Sequence, residues 1–269
     1  FQDRSSYTLS VTARDRNPES LTTLAKVIIK VLDVNNHAPK ITTNALTSSG
    51  HVQISEGEPE NSFVAHISVE DPDSGMGGQF SCDLKNTDSF SVQQLYGGAE
   101  YKVVTATQLD RETKNNYQLE FVCKDKGSPS LTSTALIPVA ILDENDNAPV
   151  FTKESYSAIL AENNPIGAFL VQISAKDPDL DQNGLVEYRA LGSATNFLNV
   201  DPVSGNVTAK VKFDYEQAQK LEFPLAAIDH GVPQKTSSAT LMIMFTDQDD
   251  SLPEFDKTSY TFNIKENLP

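Results

Sequence analysis

Hydrophobic residues recur at every second position over short runs of this chain. Phe63, Ala65, Ile67 and Val69 alternate with more polar neighbours, and so do Phe169, Val171, Ile173 and Ala175. Tyr117, Leu119, Phe121 and Cys123 repeat the pattern, as do Leu221, Phe223, Leu225 and Ala227. A period of two turns one face of a strand to a core and the other to water. The runs are punctuated by DPDSG (71–75), KGSP (126–129) and DPVSG (201–205), whose glycines and prolines suit tight turns. The pattern predicts an all-β chain.

These signals recur at a domain-sized period. NHAPKI, DNAPVF and the weaker SLPEF place Pro39, Pro149 and Pro253 at spacings of 110 and 104 residues. VEDPDSG (69–75) matches AKDPDLD (175–181), and QLDRE (108–112) matches KFDYE (212–216). CKDKGSPS (123–130) matches AIDHGVPQ (227–234) and ARDRNPES (13–20). ISEGEPE (54–60) matches LAENNPI (160–166) and IKENLP (264–269). Such a period is too long for a solenoid unit and fits tandem domains. About seven strands per repeat point to a two-sheet Greek-key sandwich of immunoglobulin type. The Cys–Trp–Cys signature of that fold is missing, since the chain has no tryptophan. The expected division is the last two strands of one repeat (1–36), two whole repeats (37–147 and 148–250) and the start of a further one, with its first strand (251–269). A lone two-stranded ribbon is marginal in water, so 1–32 is expected to be poorly fixed without the rest of its repeat.

Charge sharpens this picture. The 269 residues carry 37 Asp+Glu against 21 Lys+Arg, a formal charge of −16, which argues against nucleic-acid binding. No apolar run reaches the ~18 residues of a membrane span, and FQDRSSYTLS has no signal-peptide core. The strand-like start suggests a piece of a longer chain. The acids cluster at the turns and repeat ends, most densely in DENDN (143–147), between the buried-strand pattern TALIPVAIL and the stiff APVF. Calcium takes six to eight oxygen ligands, mostly carboxylates and carbonyls, so clustered acids at domain junctions fit it. Other chemistry finds no support. Asp179, Asp181, Asn183 and Gly184 match the opening of an EF-hand loop, but Ala190 stands where the closing glutamate belongs, and the flanks are strand-like. Asp73-Ser74-Gly75 occurs once, without an aspartic-protease partner. His37, His51, His66 and His230 show no triad or ligand spacing, and no phosphate-cradling glycine loop appears. Nothing suggests an enzyme.

The combination ISEG, LDRE, DENDNAPVF, DPDLDQNG and AIDHG resembles cadherin ectodomain repeats along the whole chain. GGQFSCDL, KDKGSPSL and NGLVEYRAL are most similar to the protocadherin type. The resemblance implies seven-strand sandwiches in series, up to three Ca2+ per linker, and calcium-dependent cell–cell adhesion on the extracellular side of the plasma membrane. The implied partner is the same protein on an opposing cell, with membrane tethering only through parts absent from this chain. A spacer in a very long cadherin and a heterophilic binding module are the alternatives.

Carried over residue by residue, the resemblance implies a full linker. Glu56, Asp110, Glu112, Asp143, Glu144 (main-chain oxygen), Asn145, Asp146, Asn147 (main-chain oxygen), Asp177, Asp179, Asn183 (main-chain oxygen) and Asp229 would be its ligands. Eight of these are carboxylates that would repel one another strongly without metal, and three Ca2+ would bring +6 against their −8. The first linker, DVNNHAPKI, is damaged: Asn36 replaces the bridging aspartate, His37 the second asparagine, and Gln2 an upstream acid. It keeps Asn35, the carbonyls of His37 and Gly77, Asp71, Asp73 and Asp125, enough for at most one ion. A half linker retains Glu162, Asp214, Glu216, Asp247, the Gln248 carbonyl and Asp250.

Cys82 and Cys123 have no CxxC partner, so a zinc site is improbable. Both alternate with core positions on neighbouring strands. An extracellular setting favours a disulfide, cross-strand geometry restricts one, and buried thiols remain the alternative. Asn206-Val-Thr is the one N-x-S/T sequon, on an expected hairpin, and is a candidate glycosylation site.

Overall fold

Period-two runs of β-branched and aromatic residues make strands here, and tight turns make them antiparallel neighbours. A computed structural model describes residues 4–16, 18–19, 21–44, 52–250 and 252–266. The chain divides into two units, Phe1–Glu144 and Asn145–Pro269.

The first unit opens with β1 (Ser6–Arg14) and β2 (Thr22–Lys30), paired antiparallel from Ser6↔Lys30 to Arg14↔Thr22. Every residue of this ribbon is exposed, including Leu9, Leu24 and Ile28. The ribbon is regular, yet no apolar face of it is covered.

A sandwich follows. One sheet runs β3 (Lys40–Asn44), β5 (Phe63–Glu70), β8 (Glu100–Thr105), β7 (Phe90–Gln94). The other runs β4 (Val52–Ser55), β10 (Thr132–Leu142), β9 (Asn116–Asp125), β6 (Phe80–Lys85). The leading strand is shared: β3 joins the first sheet, and β4 pairs parallel with β10 in the second. This split makes eight strands where the sequence pattern suggests about seven. Ile67, Val69, Val103, Leu119, Phe121, Cys123 and Val139 fill the space between the sheets. Each such side chain stabilises the fold by roughly 1.5–3 kcal/mol relative to exposure. Cys82 lies directly opposite Cys123 in the β6–β9 register, and the two form a disulfide, with Cα atoms 4.1 Å apart. The thiol alternative is thereby set aside.

The second unit builds the same sandwich from shorter pieces. Its strands are β11 (Val150–Phe151), β12 (Ser155–Ala161), β13 (Phe169–Gln172), β14 (Ala175–Lys176), β15 (Glu187–Ala190), β16 (Leu198–Val200), β17 (Asn206–Ala209), β18 (Lys220–Ile228) and β19 (Thr236–Thr246). A four-residue helix, α1 (Ala194–Phe197), precedes β16 and buries Ala194. β12, β19, β18 and β15 form one sheet, β13, β17 and β16 another, and β11 pairs with β14. Ile173, Val207, Leu225, Leu241 and Ile243 are core.

Two expectations are corrected. Phe63 and Phe169 do not continue the inward faces of their strands; both are exposed. A register shift lies between Phe63 and Ala65 and another between Phe169 and Val171. Such a bulge reverses which side of the sheet a residue faces. Residues 252–266, expected to begin a strand, form none and are exposed, with no neighbouring strand to pair with among the described residues.

Candidate metal centres

Each unit carries acids at both ends of its sandwich. In the first unit Glu56 follows β4, and the loop between β8 and β9 supplies Asp110 and Glu112. Glu56 is 1% exposed. Its two oxygens accept the N–H of Arg111 at 2.6 Å and of Glu144 at 2.8 Å. The second unit repeats this: Glu162, also 1% exposed, accepts the N–H of Tyr215 at 2.8 Å and of Gln248 at 2.6 Å. The glutamates of ISEG and LAEN therefore tie the acidic turn to the exit of the last strand. Oxygens of Glu56, Asp110 and Glu112 lie within 4.8 Å of one another, and those of Glu162, Asp214 and Glu216 do likewise.

The ends differ in counter-charge. Arg111, buried within LDRE, sends its guanidinium to both Glu112 and Asp143. Tyr215 takes the matching place in the second unit. The Glu144 side chain turns aside to accept a 2.5 Å bond from Ser55 Oγ. It packs over Gly57, where a Cβ would approach its Cγ to 3.1 Å. Asp247 and Gln248 are exposed beyond β19, and Asp250 accepts a 2.5 Å bond from Asn163.

The opposite ends share one construction. In the first unit Asn35 Nδ2 donates to Asp125 Oδ2 at 3.0 Å and to the Pro129 carbonyl at 2.6 Å. In the second, Asn145 Nδ2 donates to Asp229 Oδ2 at 3.1 Å and to the Pro233 carbonyl at 2.6 Å. Each asparagine rests on a glycine. A Cβ on Gly127 would meet Asn35 Cγ at 2.2 Å, and one on Gly231 would meet Asn145 Cγ at 2.3 Å and Asn183 Oδ1 at 2.7 Å. Asn35 Oδ1, which faces Gly77, is buried without a hydrogen-bond partner, as are Asn145 Oδ1 and Asp71 Oδ2. A buried oxygen acceptor left unpaired costs about 1–3 kcal/mol. The amide nitrogen of each asparagine is held by an aspartate, and its oxygen suits a hard cation with oxygen ligands, so the residues fit calcium.

The second aspartate of each DPD is held in matching ways. Asp73 accepts the N–H groups of Asn36 and His37, both at 2.9 Å, and Asp179 accepts that of Asn147 at 3.2 Å. His37 Nδ1 lies 2.7 Å from Asp73 Oδ1, where Asn147 Nδ2 donates to Asp179 Oδ1 at 2.8 Å. Burial pushes Asp73 up, but the His37 backbone and ring and the Asn36 N–H outweigh it and hold the carboxyl below its usual range. Burial likewise opposes Asp125, where bonds from Asn35, Leu131 and Gly127 win and lower it. Asp71 moves the other way: burial dominates, Asp73 and Asp125 repel, and its affinity for a proton rises. Asp177 bonds the Asp179 N–H at 3.1 Å, as Asp71 bonds that of Asp73 at 3.0 Å. The Asp146 carbonyl accepts a 2.6 Å bond from Lys235. Gln2 and His51 lie outside the described residues.

Sequence reasoning does not single out Arg111, Gly127, Gly231 or Lys235 as parts of these ends. The glycines stand in the recurring KDKG and IDHG, and that recurrence is the signal that marks them. Arg111 is hidden because LDRE reads as a frame for its two acids.

Residues 50–142 and 156–245 match the Cadherin domain family. Human Protocadherin-18 is 37% identical over 263 residues, covering 94% of this chain and 23% of that protein. Mouse Protocadherin-8 is 36% identical over 295 residues, covering 94% and 28%. The chain thus spans about a quarter of the length of these curated relatives. Among solved structures, the Protocadherin gammaB7 EC3-6 cis-dimer is 36% identical with a TM-score of 0.85, over 93% of this chain and 60% of that one. Mouse Cadherin-23 EC22-24, 22% identical with a TM-score of 0.80 over 92% and 76%, shares the fold.

Proposed function

The chain belongs to the cadherin family, and on that premise we propose that it is an extracellular segment of a protocadherin-like membrane protein, acting in calcium-dependent, homophilic cell–cell adhesion. Adhesion in general follows from the family. The calcium sites and the choice of partner are the finer reading. In it, residues 1–36 end one repeat, 37–147 and 148–250 are whole repeats, and 251–269 begin another.

The observation that carries the calcium reading is the pair of buried asparagine oxygens, Asn35 Oδ1 and Asn145 Oδ1, each without a hydrogen-bond partner. In this reading Glu56, Asp110, Glu112 and residues 143–147, with Asp177, Asp179, Asn183 and Asp229, serve the full linker. Bound calcium supplies positive charge and several oxygen bonds to carboxylates that otherwise repel one another. Asn35, Asp71, Asp73 and Asp125, with the carbonyls of His37 and Gly77, serve a reduced linker of at most one ion. There Asn36 brings no charge, and the His37 ring is engaged with Asp73. Glu162, Asp214, Glu216, Asp247, Gln248 and Asp250 serve the half linker.

Beads coated with the intact ectodomain test the function. They should clump in calcium, disperse on chelation, and segregate from beads bearing a different protocadherin. Folded, calcium-loaded ectodomain that never clumps would favour a spacer. Clumping only with beads bearing another protein would favour a heterophilic module.

A further inference from the structure

We propose that Asn206 carries an N-linked oligosaccharide that covers the outer face of the β13–β17–β16 sheet. The proposal rests on the extracellular reading above. Asn206 opens β17, and Val207 and Ala209 are buried at 0% and 1%. Alternation therefore turns Asn206 and Thr208, the two residues an N-x-T acceptor needs, to the outer face. Asn206 is exposed, and no hydrogen bond of its side-chain amide is found among the described residues. Its backbone is well fixed: its carbonyl accepts the Asp201 N–H at 2.9 Å, and its N–H donates to Ser204 Oγ at 3.4 Å. Gly205, just before it, has a φ of 68°, and a Cβ there would lie 2.3 Å from the Ile173 carbonyl. The turn thus presents a free amide on a rigid strand end with exposed Gln172 as its register partner.

The same face carries an apolar liability. The bulge in β13 leaves Phe169 61% exposed, opposite Thr208. Asn206 lies two residues from Thr208 on the same side of β17, about 7 Å along the strand. A glycan rooted there is within reach of the Phe169 ring and keeps this sheet out of protein contacts. In the transfer, Asn206 Nδ2 forms a bond to C1 of the first sugar and loses a proton. The C1–oxygen bond of a lipid-pyrophosphate oligosaccharide donor breaks, and the lipid pyrophosphate leaves.

The test is peptide mapping of the full chain secreted from a eukaryotic cell behind an added signal peptide. Enzymatic deglycosylation in isotope-labelled water should convert Asn206 to labelled aspartate. N206Q and, independently, Thr208→Ala should remove the glycan and its gel shift. A secreted wild-type chain whose Asn206 peptide is unmodified overturns the proposal. Because secretion is imposed, that result leaves the adhesion reading to the bead assay.

Discussion

Arg111 is the sharpest place to perturb the first unit. Its side chain is 7% exposed and bridges Glu112 and Asp143, themselves 18% and 13% exposed. Close by are Glu56 and Asp110, whose oxygens cluster with those of Glu112. Arg111→Gln removes one positive charge from this group and keeps much of the stem. Deleting one partner of a buried pair costs about 3–5 kcal/mol. Partial exposure of the two acids lowers the expected cost to about 2 kcal/mol without calcium. Bound calcium would supply the missing charge, so the cost in its presence should fall below about 1 kcal/mol. Calorimetry of the whole chain, in chelator and in calcium, reads the difference. The first unit's transition should drop by about 8–12 °C in chelator and by less than half of that in calcium. Tyr215→Gln, at the matching position of the second unit, should show no calcium-dependent gap. Equal losses for Arg111→Gln in both conditions would mean that the side chain acts through packing alone, and the charge argument would be refuted.

Gly127→Ala and Gly231→Ala should each lower the calcium bound per chain by one ion, measured by elemental analysis after equilibrium dialysis, because the new methyl displaces Asn35 or Asn145. The overlap should also cost about 1–3 kcal/mol; an unchanged stoichiometry would contradict it. Replacing both Cys82 and Cys123 by alanine opens a cross-link spanning 41 residues. It should cost about 2–4 kcal/mol in urea denaturation of the first unit and leave the second unit's midpoint unmoved.

The repeat and its strands are legible because both rest on local signals. Turn residues recur in register, and alternation marks the covered face of each strand. What alternation cannot carry is a change of phase. Phe63 and Phe169 sit in unbroken period-two runs, yet a bulge after each turns it outward. No residue type near either one demands an extra unpaired position. The split of β3 from β4 is hidden for a similar reason, since the choice between sheets is made by tertiary pairing. The disulfide is intermediate: the strands are predictable, but the direct opposition of Cys82 and Cys123 depends on register.

Asn36 and His37 both depart from DENDN, and they are not equivalent. Compared with DENDN, His37 looks like a loss, because imidazole is a poor calcium donor and the asparagine side chain is gone. The geometry assigns that side chain another task. Asn147 Nδ2 braces Asp179, and His37 Nδ1 braces Asp73 at nearly the same distance. Both motifs need a donor there, and imidazole can be one. Asn36 differs in kind, since an amide in place of a carboxylate removes a charge that no neighbour in the motif restores. Meanwhile Asn35 keeps the same seat as Asn145, on a glycine and against an aspartate, with its oxygen buried and unpaired. The two substitutions therefore have unequal weight. His37 preserves the brace on Asp73, and Asn36 removes a charge from the motif.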